Sequence, residues 1–398
     1  MTTLRAASSK EEAMQEIRVF IIDGDVVVRQ MLACLLRSRP DMLVCGITSD
    51  GQAARAMIAR TRPNVVLLDL EGLETDSLQL LSDIHEAFPT LPIIALSTRS
   101  QSGARQAIKA LECGAAEFLT KPEGSGNVLF ATRHLCKRLA PAIKAVVSTQ
   151  VGNGVPLSNP DRSLPRPRIS GRRRIDLVVI GGGTGGPHAL FSLLPRLPED
   201  LPVPVLIVQH MPKRYTAALA ERLALKSRRL VAEGRVGALL EPGQVWIAPG
   251  GYHMTVSRSG HADLLDIHRG SREHGCRPSI DVLFRAAADQ YGPHVLGVVL
   301  SGHSLDGFQG SRHIHNAGGQ ILVEDEPGAL VWEGPGAVVR AGLAEKALSQ
   351  EALAKEITRR VQAGRSDAAI STTIVPERDS RARQETALLY PGAARIPH

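Results

Sequence analysis

The chain has 398 residues, a net charge of +7 and 43% apolar residues, a composition that suits two or three soluble, core-forming domains. Six arginines between residues 161 and 174 carry most of the charge excess and aromatic residues make up only 3%, which excludes an extended nucleic-acid-binding face. The longest apolar runs, such as 175–180 and 295–300, fall far short of the roughly 20 residues of a membrane span. The polar first residues resemble neither a signal peptide nor a basic anchor, so a cytoplasmic protein is expected, and five cysteines without a CxxC pair are expected to be free thiols.

From residue 17 onward, the apolar runs IRVFIID, LVCGIT, VVLLDL, PIIALS and EFLTKP alternate with amphipathic stretches such as 26–37 and 77–87. Five strand–helix units in about 120 residues predict a parallel sheet covered on both faces. Side chains at the carboxyl ends of such strands converge in one crevice. Asp23 ends the first strand, Asp69 the third, Ser97 the fourth and Lys121 the fifth.

This arrangement resembles the receiver domain of two-component response regulators, a flavodoxin-like (βα)5 fold. The resemblance implies that Asp69 accepts a phosphoryl group, that Asp23 and Asp69 hold a magnesium ion, and that Ser97 and Lys121 sense the phosphate. Two places depart from the family pattern. Gly24 stands where a second acid is usual, with Asp25 displaced one position onward, and Gly72 and Leu73 replace the Met-Pro turn after the phosphoacceptor. A one-residue shift redirects a side chain. Two readings therefore stay open: a working phosphorylation site, or a receiver-shaped docking or dimerisation module.

Residues 139–174 are rich in Pro, Gly, Ser and Arg and predict a solvated linker between domains at 16–138 and 175–362, with a disordered tail over 363–398. The second domain repeats the α/β alternation. Strands are expected at IDLVVI, VPVLIV, QVWIAP, HVLGVVL and QILVE, and helices near 187–194, 280–290 and 351–361. The first strand leads into IGGGTGGPHAL, where Gly181, Gly183 and Gly186 satisfy a dinucleotide-type glycine spacing. A dinucleotide fold needs an acid closing the second strand, and this strand closes with Gln209 and His210. His210 and Asp306, at neighbouring strand ends, form instead a candidate base and orienting group for acyl transfer.

The segments VQHMP, PGQVWIAPGGYHM, RPSIDVLFRAAA, GVVLSGHSLDG and AGGQILVEDE together resemble the doubly wound α/β methylesterase domain of the chemotaxis (CheB) family. With the receiver, the resemblance covers residues 16–362. It implies hydrolysis of glutamate methyl esters, and deamidation of glutamines, on methyl-accepting chemoreceptors, with a chemotaxis histidine kinase as phosphoryl source and no nucleic-acid partner. His210 is then general base and acid and Asp306 its orienting group. The family turn reads Gly-Ala-Ser-Thr-Gly-Gly, which places Gly183 at the position of the nucleophilic serine. Impaired activity is expected, with a non-catalytic signalling adaptor of the same fold as the alternative. Thr184, Ser301 and Ser304 are the hydroxyls that stand near the gap, and Cys276 replaces a usual histidine before Arg277-Pro278-Ser279.

Overall fold

The computed structural model describes residues 16–121, 128–148, 174–260, 262–363 and 365. The first domain runs β1 (Ile17–Ile22), α1 (Val26–Arg37), β2 (Met42–Thr48), α2 (Gly51–Thr61), β3 (Val65–Asp69), α3 (Ser77–Ala87), β4 (Ile93–Ser97), α4 (Gln101–Glu112), β5 (Glu117–Thr120) and α5 (Val128–Ser148). Its strands pair in parallel in the order β2-β1-β3-β4-β5. Every residue of β3 and β4 is buried, as expected of strands covered by helices on both faces. The carboxylates of Asp25, Asp50 and Asp76 each accept two backbone N–H groups and so start α1, α2 and α3.

The boundary expected at 138 is corrected. Helix α5 continues to Ser148, and its buried Leu139, Ala140, Ile143, Val146 and Val147 pack in the apolar cluster beneath β1, β3 and β4. Pro141 lies inside this helix. A proline normally reads as a stop because it removes a helical hydrogen bond, and burial of the apolar stripe outweighs that loss here. The remaining linker positions, 149–173, and the tail beyond 365 lie outside the described residues.

The second domain runs β6 (Leu177–Gly182), α6 (Gly186–Leu193), β7 (Val205–Gln209), α7 (Tyr215–Ser227), β8 (Val231–Glu233), β9 (Val245–Ile247), β10 (His253–Ser259), β11 (Ala262–His268), α8 (Ile280–Tyr291), β12 (Val295–Val299), α9 (Phe308–Asn316), β13 (Gln320–Glu324), α10 (Glu333–Arg340), β14 (Lys346–Leu348) and α11 (Gln350–Gln362). Seven parallel strands take the order β14-β13-β12-β6-β7-β9-β8. The antiparallel pair β10-β11 packs Met254, Val256 and Leu265 into the core that also holds Leu283, Phe284 and Ala287 of α8.

The domains share one apolar cluster that reaches from Ala104, Ala107 and Ile108 of α4 to Leu190 of α6 and Leu219 and Leu223 of α7. Phe118 of β5 stacks on Tyr215 with ring centroids 4.5 Å apart. Around this seam, Arg105 pairs with Glu221 at 3.2 Å, Lys226 with Glu112 at 3.2 Å, and Arg222 with Glu112.

Candidate active site

In the second sheet the chain departs from β6 toward β7 on one side and returns as β12 on the other. The loops leaving β12, β6 and β7 therefore meet at a topological switch point, where α/β folds place their sites. The loop after β6 is the glycine turn. Gly183 N–H donates to the Ser301 carbonyl at 2.8 Å, and its own carbonyl accepts from Gln209 Nε2 at 2.7 Å. The glycines here serve packing. Ile280 fills the place of a Cβ on Gly181, and Gln209 crowds that of Gly182 and Gly186, so no larger residue fits at these three positions.

His210 follows β7, with its Nε2 2.7 Å from Asp306 Oδ2 and its side chain 16% exposed. A carboxylate only accepts, so Nε2–H is the donor and Nδ1 is left for chemistry. Asp306 sits in the loop after β12 and gathers three further donors: Ser279 Oγ at 2.8 Å, Ile280 N–H at 2.8 Å and Asp281 N–H at 2.9 Å. It thereby also holds the N-terminus of α8. Burial pushes the Asp306 carboxyl up, but His210 and these N–H groups together hold it below the ordinary carboxylate range. For His210, burial lowers the pKa, and the hydrogen bonds and charges of Asp306 and Cys276 reverse this to about 9.

The other face of His210 meets the gap at 183. A Cβ built on Gly183 would lie 3.7 Å from His210 Nδ1 and 3.1 Å from Gly302 Cα. A hydroxyl at 183 would therefore stand beside the base, at the expense of a shift of a few tenths of an ångström in the 302 loop. The neighbouring hydroxyls are otherwise engaged. Ser301 is fully buried and donates to the Thr184 carbonyl at 2.7 Å. Ser304 Oγ accepts from Asp306 N–H at 3.0 Å, and Thr184 Oγ1 is 3.4 Å from His303 Nδ1.

Sequence reasoning marked Cys276 only as a departure from pattern. Its Sγ, a ring nitrogen of His210 and a carboxylate oxygen of Asp306 all lie within 4.8 Å of one another. The approach depends on a tight turn in which His274 and Gly275 both adopt positive φ, a local cue too weak to reveal a contact some 66 positions back along the chain. Asp281 is buried and accepts from Gly307 and Gly310 N–H, while Arg277 donates to the Gly270 carbonyl at 2.9 Å.

In the first domain, Lys121 Nζ lies 2.6 Å from Asp69 Oδ1 and 3.1 Å from Asp23 Oδ2, and both acids are fully buried. Burial pushes the Asp23 carboxyl up, more than Lys121 pulls it down. Asp25 is spent on capping α1 and does not replace the acid missing at 24. A Cβ on Gly24 would run into the Gly72 carbonyl, so the two departures are one packing solution in which the backbones touch. Asp69 keeps a buried Oδ2 without a hydrogen-bond partner beside the buried Asp23, whose Oδ2 faces only Lys121, which fits a hard divalent cation held by two carboxylates and its own waters. The Ser97 carbonyl accepts from Lys121 N–H at 2.7 Å, but its Oγ turns away from the carboxylates and is 2.9 Å from Tyr215 OH across the domain seam.

The family models agree with this division. "CheB methylesterase" matches residues 178–357 and "Response regulator receiver domain" matches residues 19–133. The protein-glutamate methylesterase/protein-glutamine glutaminase of Trichodesmium erythraeum is 36% identical over 351 residues, covering 87% of this chain and all of that protein. That of a Nocardioides species is 38% identical over 356 residues, covering 87% of this chain and 96% of that protein. The solved Thermotoga maritima CheB methylesterase catalytic domain is 31% identical, with a TM-score of 0.46, and covers 47% of this chain and 99% of that one. The chain belongs to the protein-glutamate methylesterase/protein-glutamine glutaminase family, in which a response-regulator receiver precedes a CheB methylesterase domain.

Proposed function

We propose that this chain hydrolyses glutamate methyl esters, and deamidates glutamines, on the helices of methyl-accepting chemoreceptors, under the control of its receiver. The observation that carries the reading is the His210–Asp306 pair, held at 2.7 Å with the other ring nitrogen turned to the glycine turn. Asp306, with four donors on its two oxygens, stays ionised and fixes the imidazole tautomer. In its deprotonated form, which gains population as pH rises toward 9, His210 takes a proton from the attacking group and returns it to the leaving methanol or ammonia. Backbone N–H groups of the turn before α6 stabilise the oxyanion.

The receiver sits where it can restrain this site. The Glu117 carboxyl of β5 lies beside Thr184 of the glycine turn, and Tyr215 joins Ser97 to the second domain. Phosphorylation of Asp69 by a chemotaxis histidine kinase would draw Lys121 and Ser97 toward the phosphate and loosen that seam. Asp23 and Asp69 would hold the magnesium ion, whose charge offsets that of the incoming phosphoryl group. Among the described residues no helix is long and apolar enough to cross a membrane.

Gly183 favours a second reading, a signalling adaptor that binds receptor helices without turnover, because no serine acyl-enzyme can form at that position. Methanol release from methylated chemoreceptor separates the two. Release by the unmodified chain supports the esterase. Release only after Gly183→Ser supports the adaptor, and release by neither contradicts the esterase pocket altogether.

A further inference from the structure

We propose that Cys276 supplies the nucleophile that residue 183 lacks, so that Cys276, His210 and Asp306 act as a thiol relay. The inference rests on the reading of this pocket as an esterase site. Three observations support it. First, the sulfur stands within 4.8 Å of both the imidazole nitrogen and the carboxylate that positions it. Second, the nearby hydroxyls of Ser301, Ser304 and Thr184 are tied to other partners, whereas Cys276 is a free, partly exposed thiol that faces His210 and donates only weakly to the His274 carbonyl at 3.6 Å.

Third, the turn that carries the sulfur is held in place. Cys276 N–H donates to the Glu273 carbonyl at 2.7 Å and Glu273 N–H to the Cys276 carbonyl at 3.2 Å, closing a two-residue hairpin. Its flanks are anchored by Glu273 on Arg285 at 2.5 Å and by His274 on Asp281 at 3.2 Å. A bound metal is the rival use of a His-Cys-Asp group. It fits poorly, because both oxygens of Asp306 already accept two donors each.

The chemistry balances. With the shared proton on His210, the sulfur attacks the ester carbonyl carbon and a C–S bond forms. The tetrahedral species collapses with cleavage of the C–O bond to the methyl group's oxygen, and His210 delivers its proton so that methanol departs. Water, deprotonated by His210, then attacks the thioester, the C–S bond breaks, and the glutamate carboxylate and the thiol are regenerated. A glutamine side chain passes through the same thioester and releases ammonia. A thiol is intrinsically a better nucleophile than a hydroxyl, so the exchange of positions is chemically workable.

The test compares the full-length chain with Cys276→Ala, Cys276→Ser, Gly183→Ser and Gly183→Ser/Cys276→Ala, each with acetyl phosphate and magnesium, on methylated chemoreceptor. Methanol release should fall by about 100-fold or more in both Cys276 variants and return in Gly183→Ser/Cys276→Ala. In parallel, iodoacetamide should alkylate Cys276 at pH 7 at least about tenfold faster in the unmodified chain than in His210→Gln. Unchanged release by Cys276→Ala and Cys276→Ser, or equal alkylation rates, would overturn the inference. So would a silent natural chain beside an active Gly183→Ser, which leaves the esterase pocket standing. Silence in both chains overturns the pocket as well.

Discussion

In the proposed mechanism Asp306 joins catalysis to folding within one carboxylate, since the oxygens that orient His210 also receive the first N–H groups of α8. Asp306→Asn should keep much of the geometry and yet lower kcat by roughly 10³- to 10⁴-fold in the methanol assay, because an amide can present the wrong group to Nε2. Asp306→Ala should in addition destabilise the domain by about 2–5 kcal/mol in urea, since it strands buried donors. His210 has a folded pKa of about 9 against an ordinary 6.5. Its contribution to stability is complete below pH 6.5 and is lost as pH rises through 9. The Tm should therefore drop across that window, and His210→Gln should flatten the curve. Asp23, Asp69, His210 and Asp306 were legible as candidates because each lies at or just beyond a strand end, and strand ends converge by rule. Cys276 was not, because its place is set by a turn and not by a strand end.

At the scale of elements, the strands β1, β3, β4, β6, β7, β12 and β13 announce themselves as short β-branched runs, which is what burial on both faces demands. The three-residue β8 and β14 are too short to signal a period, and the hairpin β10-β11 mixes its apolar residues with His, Asp, Ser and Arg. Pro141 concealed the last turns of α5. A receiver ending at 138 should lose the buried stripe from Leu139 to Val147 and unfold at lower urea than one ending at 148, as followed by circular dichroism. Gly24→Asp, which restores the family's second acid, should destabilise by about 1–3 kcal/mol and leave magnesium affinity unimproved, because its Cβ meets the Gly72 carbonyl. Tighter magnesium binding without loss of stability would show that the two loops are free to separate.

For the whole molecule, the seam between the domains matters more than either sheet alone. Tyr215 is almost fully buried there, stacked on Phe118 and bonded to Ser97 and to the Thr98 carbonyl at 2.8 Å. Tyr215→Phe keeps the stack and deletes both hydrogen bonds, so basal methanol release should rise several-fold while acetyl phosphate adds less than it does to the natural chain. An unchanged response would detach the Ser97 contact from regulation. The α/β class, the domain order and the family could be read from alternation and motif order, whereas the seam could not, since it joins residues about 100 positions apart through a hydroxyl and two rings. The most direct measurement of the account is methanol release from methylated chemoreceptor by the full-length chain and by His210→Gln. The account predicts release by the former and its near-complete loss in the latter; equal release, or none from either the natural chain or Gly183→Ser, would contradict it.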